Sequence, residues 1–250
     1  MPSDSLFSLE GKCALITGGG SGIGQAIAHG LSDAGAQIIV AGRRQEVLEE
    51  SLGDRNGAVA PVDLMDHDAP QALLAQCKRF GLEPNIIVNA AGINLRIPAD
   101  EVTQQHWDTT LQLNLTAPFF LAQTFVPVMR KNNWGRIINI ASLQSERAFA
   151  NSISYGASKG GIAQLTRAMA EAWSSEGINA NAIAPGIFPT DLTASVFADP
   201  ELSAAHAART ALGRNGVAED LVGPAVFLAS AASRYVTGQI LYVDGGYTAK

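Results

Sequence analysis

Three side chains in the second half of the chain could together move a proton. Tyr155 and Lys159 lie four apart in Ser154–Lys159 (SYGASK), which opens a helical pattern, so both fall on one face of it. A free phenol, with a pKa of about 10, is a poor base at neutral pH. An ammonium beside it favours the phenolate and shifts that pKa down, which would make Tyr155 a general acid or base. Ser142 stands thirteen residues earlier, at the end of an apolar run, where its hydroxyl could bond a carbonyl or alcohol oxygen. A second cluster suits phosphate. Thr17–Gly24 (TGGGSGIG) falls between the first apolar run and the first helical pattern. Its glycines permit a tight turn and close backbone approach, and the helix beyond offers free N–H groups to a pyrophosphate. Arg96 and Arg147 each follow a strand-end motif and could clamp an anion.

Other candidates carry no chemistry. His29, His67, His106 and His206 share no ligand spacing, so no metal site is expected. Cys13 and Cys77 sit in apolar patterns and read as small buried hydrophobes. Trp107, Trp134 and Trp173 read as packing residues.

The elements that must position these residues alternate along the chain. Apolar runs at Cys13–Thr17, Ile38–Ala41, Ala58–Val62, Asn85–Asn89, Ile137–Ala141, Asn179–Ala184 and Ile240–Val243 read as strands. Helical patterns lie between them, among them Gln71–Phe80, Gln104–Lys131, Ser158–Ser174 and Ala218–Ala231. Near-continuous apolar strands separated by helices predict an α/β fold: one Rossmann-type, doubly wound parallel sheet of about seven strands. No linker or repeat divides residues 1–250, which read as a single dinucleotide-binding catalytic domain. Two segments read as irregular, Ile93–Asp100 and the two-proline stretch Ile187–Asn215, and the second is expected to form a lid.

Composition narrows the partners. The chain has 250 residues, 47% hydrophobic, with 17 basic against 23 acidic side chains. The acidic balance argues against nucleic acid. No apolar run is long enough to span a membrane, and Met1–Lys12 lacks the pattern of a secretory signal. A cytoplasmic location is expected.

Together these motifs resemble the short-chain dehydrogenases/reductases. The family's T-G-x₃-G-x-G matches Thr17–Gly24, and its N-N-A-G matches Asn89-Ala90-Ala91-Gly92, with Ala90 in place of the second Asn. Its catalytic Asn matches Asn114, its Ser matches Ser142, and its Y-x₃-K matches Tyr155 and Lys159. Pro185-Gly186, Thr190 and Val243-Asp244-Gly245-Gly246 follow in order, so the match runs from about Leu9 to Tyr247.

The resemblance implies roles. Tyr155 would exchange a proton with the substrate oxygen, Ser142 would position that oxygen, and Lys159 would lower the Tyr155 pKa and hold the nicotinamide ribose. Asn114 would help hold a proton-relay water, at a local break in the helix ahead of Pro118. Gly18, Ser21, Gly22, Ile23, Gly24, Asp63, Asn89, Ala90, Gly92, Pro185, Gly186, Ile187 and Thr190 would line the cofactor. It also implies a homotetramer, built on helices at Thr116–Met129 and Ser158–Ala172 and on Ile240–Val243 with the tail past Gly246.

Cofactor choice turns on the end of the second strand. An acid there usually holds the 2′-hydroxyl of NAD, but this chain has Gly42-Arg43-Arg44. Two guanidiniums suit a 2′-phosphate, so NADP is the expected preference, with NAD usable. The wording of Ala91–Arg96 and Gly238–Gly246 resembles gluconate 5-dehydrogenases and 2-deoxygluconate 3-dehydrogenases. That implies a small-molecule sugar-acid or polyol substrate, with Arg96, Ser142, Arg147 and Tyr155 touching it. A 3-oxoacyl-carrier-protein reductase or general carbonyl reductase, and a non-catalytic dinucleotide sensor, are the alternatives.

Overall fold

The computed structural model describes residues 6–250; the first five, within the N-terminal stretch read for an export signal, lie outside them. Seven parallel strands form one sheet: β1 (Cys13–Thr17), β2 (Gln37–Gly42), β3 (Gly57–Pro61), β4 (Ile86–Asn89), β5 (Gly135–Ile140), β6 (Ile178–Pro185) and β7 (Ile240–Val243). Their order is β3-β2-β1-β4-β5-β6-β7. β1 is buried along its whole length because both faces are covered. It pairs with β2 on one side, Cys13 against Gln37, and with β4 on the other, Ala14 against Ile86. The chain runs outward from β1 to β3 and then crosses back to β4. The connections leaving β1 and β4 therefore diverge, and a crevice opens at their carboxyl ends.

One face of the sheet carries α3 (Ala69–Phe80), α5 (Ala117–Lys131) and α6 (Ile153–Trp173). Leu73, Cys77, Leu121, Phe125 and Met169 from these helices pack on Leu15 and Ile87. The other face carries α1 (Gly22–Asp33), α2 (Gln45–Leu52) and α9 (Val222–Ala229), through Ile27, Leu31, Leu48 and Leu228 against Ile16, Val40 and Val88. Each such side chain, fully buried, contributes about 1.5–3 kcal/mol. Burial pushes the thiols of Cys13 and Cys77 up to about 12 and 11, so both stay protonated and inert. Among the described residues no helix is long and apolar enough to cross a membrane.

Three elements depart from the sequence reading. α2 was not expected. The single pattern over Gln104–Lys131 is three pieces: α4 (Gln104–Leu111), a π-turn over Gln112–Thr116, and α5. The π-turn holds Asn114, where a local break ahead of Pro118 was anticipated. The stretch Ile187–Asn215 is not irregular throughout. A 3-10 turn at Asp191–Thr193 leads into two short helices, α7 (Ala194–Phe197) and α8 (Pro200–Ala208). The proline that suggested a break starts α8, where its missing N–H costs nothing. The Asp199 carboxylate caps that helix by accepting from the backbone N–H groups of Glu201 and Leu202 at 3.0 and 3.1 Å.

Candidate active site

A cleft of about 720 Å³ occupies the crevice above β1 and β4. Its floor at one end is the glycine turn. Gly18 takes φ +68°, and a Cβ there would lie 2.9 Å from the backbone N of Ala91. A Cβ on Gly24 would lie 2.2 Å from the Gly18 carbonyl oxygen. Only bare backbone fits, and it leaves the start of α1 open to the cleft. Gly18, Ser21, Gly22, Ile23 and Gly24 all line it. Ser51 secures the turn from α2 by donating to the Gly19 carbonyl at 2.7 Å.

Arg43, Arg44 and Asp63 lie along the same end. Both arginines are exposed, and no carboxylate among the described residues pairs with either. Asp63 accepts from the Met65 N–H at 3.0 Å, and Val62, Leu64 and Met65 add an apolar wall beside it. Ala90 and Gly92, Pro185 and Gly186, and Ile187 and Thr190 line the middle. Asn89 is not a cleft residue. Its side chain is buried within the sheet, donating to Asn139 Oδ1 at 2.8 Å and to the Pro118 carbonyl. The strand turns it away from the crevice and leaves the loop beyond it to form the wall.

Tyr155, Lys159 and Ser142 meet at the inner end. The first turns of α6 carry Tyr155 and Lys159, with the Lys159 Nζ 5.6 Å from the Tyr155 ring centroid. Ser142 begins the turn after β5 and accepts from the Gln144 N–H at 3.1 Å. Lys159 is buried and donates to the Ile140 carbonyl at 2.6 Å; burial lowers its pKa to about 8. The Tyr155 phenol is pushed up by burial, while the Ser142 hydroxyl and the Arg96 guanidinium pull the other way. Desolvation thus outweighs the downward shift expected from a neighbouring ammonium, and the charge that opposes it is on Arg96.

Asn114 stands behind this end as a brace. Its Oδ1 accepts from the Ile93 N–H at 2.9 Å, and its Nδ2 donates to the Ile93 carbonyl at 2.8 Å and to Ser158 Oγ at 3.1 Å. It thereby ties the loop after β4 to α6. The carboxamide is satisfied on both sides, so it holds the loop and helix in fixed relation.

Arg96 reaches the cleft with its backbone in the left-handed region, φ +52°. Such a conformation in a residue with a Cβ is held by its surroundings. Its guanidinium donates to the Leu192 carbonyl at 3.1 Å, linking the loop after β4 to the lid. Arg147 does not enter the cleft. The 3-10 turn at Leu143–Ser145 carries it to the C-terminal tail, where it donates to the Thr248 carbonyl at 3.1 Å. It lines a separate hollow with Phe149, Arg209 and Tyr247. The expected lid does line the cleft, but sequence reasoning missed two of its residues, Leu202 and His206. Of α7 and α8, Val196, Leu202 and His206 face the cleft. The four-residue spacing of Leu202 and His206 was the available signal.

No cluster of three or more metal-ligating side chains occurs among the described residues. One cleft brings the bare-backbone glycine turn and the Tyr155 phenol together. The family model described as enoyl-(acyl carrier protein) reductase matches residues 18–248. The chain is 39% identical over 253 residues to a gluconate 5-dehydrogenase of Gluconobacter oxydans, covering 99% of both. A gluconate 5-dehydrogenase of Burkholderia cenocepacia, solved in complex with NADP and tartrate, superposes with a TM-score of 0.94 at 38% identity, over 99% of each chain. A short-chain type dehydrogenase/reductase of Mycobacterium marinum superposes with a TM-score of 0.90 at 32% identity, over 98% of this chain and 99% of the other. With the glycine turn, Ser142, Tyr155 and Lys159 gathered in one cleft, this chain belongs to the short-chain dehydrogenase/reductase family of oxidoreductases.

Proposed function

We propose that this protein interconverts a secondary alcohol and a ketone with NADP(H), NAD serving less well, on substrates that are sugar acids. The residues fit the dinucleotide. The bare-backbone turn at Gly18–Gly24 would hold the pyrophosphate, Arg43 and Arg44 the 2′-phosphate, and Lys159 and Tyr155 the nicotinamide ribose. When bound, the cofactor supplies or accepts the hydride. The chain does the rest. Ser142 holds the substrate oxygen, Tyr155 gives that oxygen a proton or takes one from it, and Lys159 orients the phenol. Asn114 keeps the loop after β4 and α6 in register around them.

One observation carries the substrate class: Arg96 lies at the Tyr155 end of the cleft, close enough to act on the phenol. A carboxylate held there would leave a carbon further along the chain at the phenol. The Burkholderia relative, solved with NADP and the hydroxy acid tartrate, supports this reading. The apolar lid residues Val196 and Leu202 favour a second reading, a reductase of plain ketones or acyl chains. Arg96→Ala separates the two. A charged hydrogen bond contributes about 1.5–3 kcal/mol, so kcat/KM for gluconate should fall on the order of tenfold or more, with a neutral ketone of similar size little affected. Equal losses on both, or no sugar acid turned over by the unmodified protein, would leave the second reading standing.

The same reading includes assembly as a tetramer. Phe120 on α5 and Ile153 at the start of α6 are 47% and 52% exposed, and Leu241 on β7 also faces out. Large apolar side chains on these elements suit the wide, apolar interfaces of permanent oligomers. Light scattering at micromolar concentration should give four times the 26.1 kDa chain; a monomer mass would refute it.

A further inference from the structure

Ser142 can serve a substrate oxygen only if the turn that carries it keeps station with α6, where Tyr155 and Lys159 sit. That turn is short. Ser142 leaves β5 with extended backbone, and Leu143–Ser145 form a single 3-10 turn, closed by the Ser145 N–H donating to the Ser142 carbonyl at 3.0 Å. A lone 3-10 turn has poorer hydrogen-bond geometry than an α-helix, so it needs an outside anchor to hold an atom in a fixed place. Ser145 supplies one. Its hydroxyl donates to the backbone carbonyl of Lys159 at 2.8 Å, fourteen residues on. The Ser142 hydroxyl apart, it is the one member of the turn that hydrogen-bonds α6 among the described residues.

The bond closes a ring around Ser142. Lys159 donates from its Nζ to the Ile140 carbonyl at 2.6 Å, two residues before Ser142, and accepts at its own carbonyl from Ser145, three residues after it. One residue of α6 thus holds the chain on both sides of the serine. The Lys159 carbonyl also lies one helical turn before Ala163 in α6, so one lone pair serves the helix and Ser145 takes the other. Loss of the Ser145 hydroxyl therefore leaves no buried group without a partner, and its effect falls on position more than on folding.

We propose that Ser145 is a positioning residue that sets the distance between Ser142 and Tyr155, by fastening the Ser142 turn to α6 through the Lys159 carbonyl. This rests on the roles given above to Ser142 and Tyr155. Both hydroxyls must meet one substrate oxygen, and a displacement of about 1 Å in a reacting geometry can cost on the order of 10²-fold in rate. Ser142 acts most strongly where charge develops on that oxygen, so slack in the turn shows in kcat. The Lys159 ammonium keeps its own tether to Ile140, so the cofactor's end of the site is untouched.

The test is a mutant cycle of Ser142→Ala, Ser145→Ala and the double variant, joined by Ser145→Thr. Each is followed in the reduction of 5-keto-D-gluconate and of a neutral ketone of similar size by NADPH. Ser145→Ala should lose about tenfold or more in kcat, with KM for NADPH within about twofold and the thermal midpoint within about 4 °C of the unmodified protein. Ser145→Thr keeps the hydroxyl and should recover most of the loss. In the Ser142→Ala background the second substitution should change kcat by less than about twofold, since nothing is left for Ser145 to position; a merely structural serine would multiply the two losses. Multiplied losses, an unchanged kcat in Ser145→Ala, or a normally folded Ser145→Thr variant no faster than Ser145→Ala would overturn the assignment while leaving the roles of Ser142 and Tyr155 intact. An unmodified protein that reduces neither ketone, or a Ser142→Ala variant with full turnover, would overturn those roles and this assignment together.

Discussion

Tyr155→Phe should abolish most turnover while leaving the fold intact and, with Lys159 still there to hold the ribose, NADP(H) affinity little changed. The substitution removes one oxygen from a half-buried ring whose carbon skeleton stays in place, so packing against its neighbours is preserved. What is lost is the group that exchanges the proton, and a positioned acid or base typically supplies about 10²–10⁴-fold. The effect should appear in kcat far more than in KM, because the hydroxyl acts most strongly where charge develops on the substrate oxygen. The pH dependence carries a sign. Burial raises the phenol's pKa, so it is protonated and ready to donate through neutral pH, which suits ketone reduction. Alcohol oxidation needs the deprotonated form, so its rate should climb as pH rises above neutrality while that of reduction does not. Stopped-flow kinetics in both directions, with a fluorescence titration of NADPH, would check this. Turnover near that of the unmodified protein would remove Tyr155 from the chemistry.

Arg43→Ala should reverse the cofactor preference. Gly42 ends β2, and neither Arg43 nor Arg44 pairs with a carboxylate among the described residues, so no local acid competes with a 2′-phosphate. A guanidinium–phosphate contact is charge-assisted and contributes about 1.5–3 kcal/mol. Converted at 1.4 kcal/mol per decade, that is roughly a ten- to hundredfold loss in kcat/KM for NADP. NAD carries a hydroxyl at that position and should be used about as well as before. Since the contact is exposed, its contribution is screened by salt, and the gap between the cofactors should narrow as ionic strength rises. Equal use of the two cofactors by the unmodified protein, or an Arg43→Ala variant indifferent to the 2′-phosphate, would count against the assignment.

The strands were legible because a parallel sheet covered on both faces writes itself as short apolar runs. Cys13–Thr17 and Ile240–Val243 were placed to the residue, and the others within two. α2 escaped because Val47, Leu48 and Leu52 are its only apolar residues, set among Glu46, Glu49 and Glu50, too few to show a period. The lid helices escaped because prolines read as breakers also serve as starters, and only the cap at Asp199 tells the two apart. Within the site, Tyr155 and Lys159 were readable since one helical turn joins them. His206 lies far along the chain, and its one signal, four residues from Leu202, is too short to show a helical period. Asn89 and Arg147 show the opposite failure. Each neighbours cleft residues in sequence, but the strand aims Asn89 into the sheet and a 3-10 turn swings Arg147 to the tail.

The labour of the site is divided unevenly between its parts. The turn, the proton-exchanging phenol and the bracing carboxamide belong to strand ends and to helices packed on the sheet, where a change of one methyl group is felt in the core. The lid's cleft-lining residues sit on α7 and α8, and α8 buries nothing against that core. Substitutions on such a surface usually alter stability by less than about 0.5 kcal/mol. Mutation can therefore wander across α8 at almost no risk to the fold, trying one substrate after another, while the hydride chemistry beneath is inherited whole. Divergence within one lineage would then begin at positions such as 202 and 206, and a new substrate would be reached without the chain passing through an unfolded ancestor.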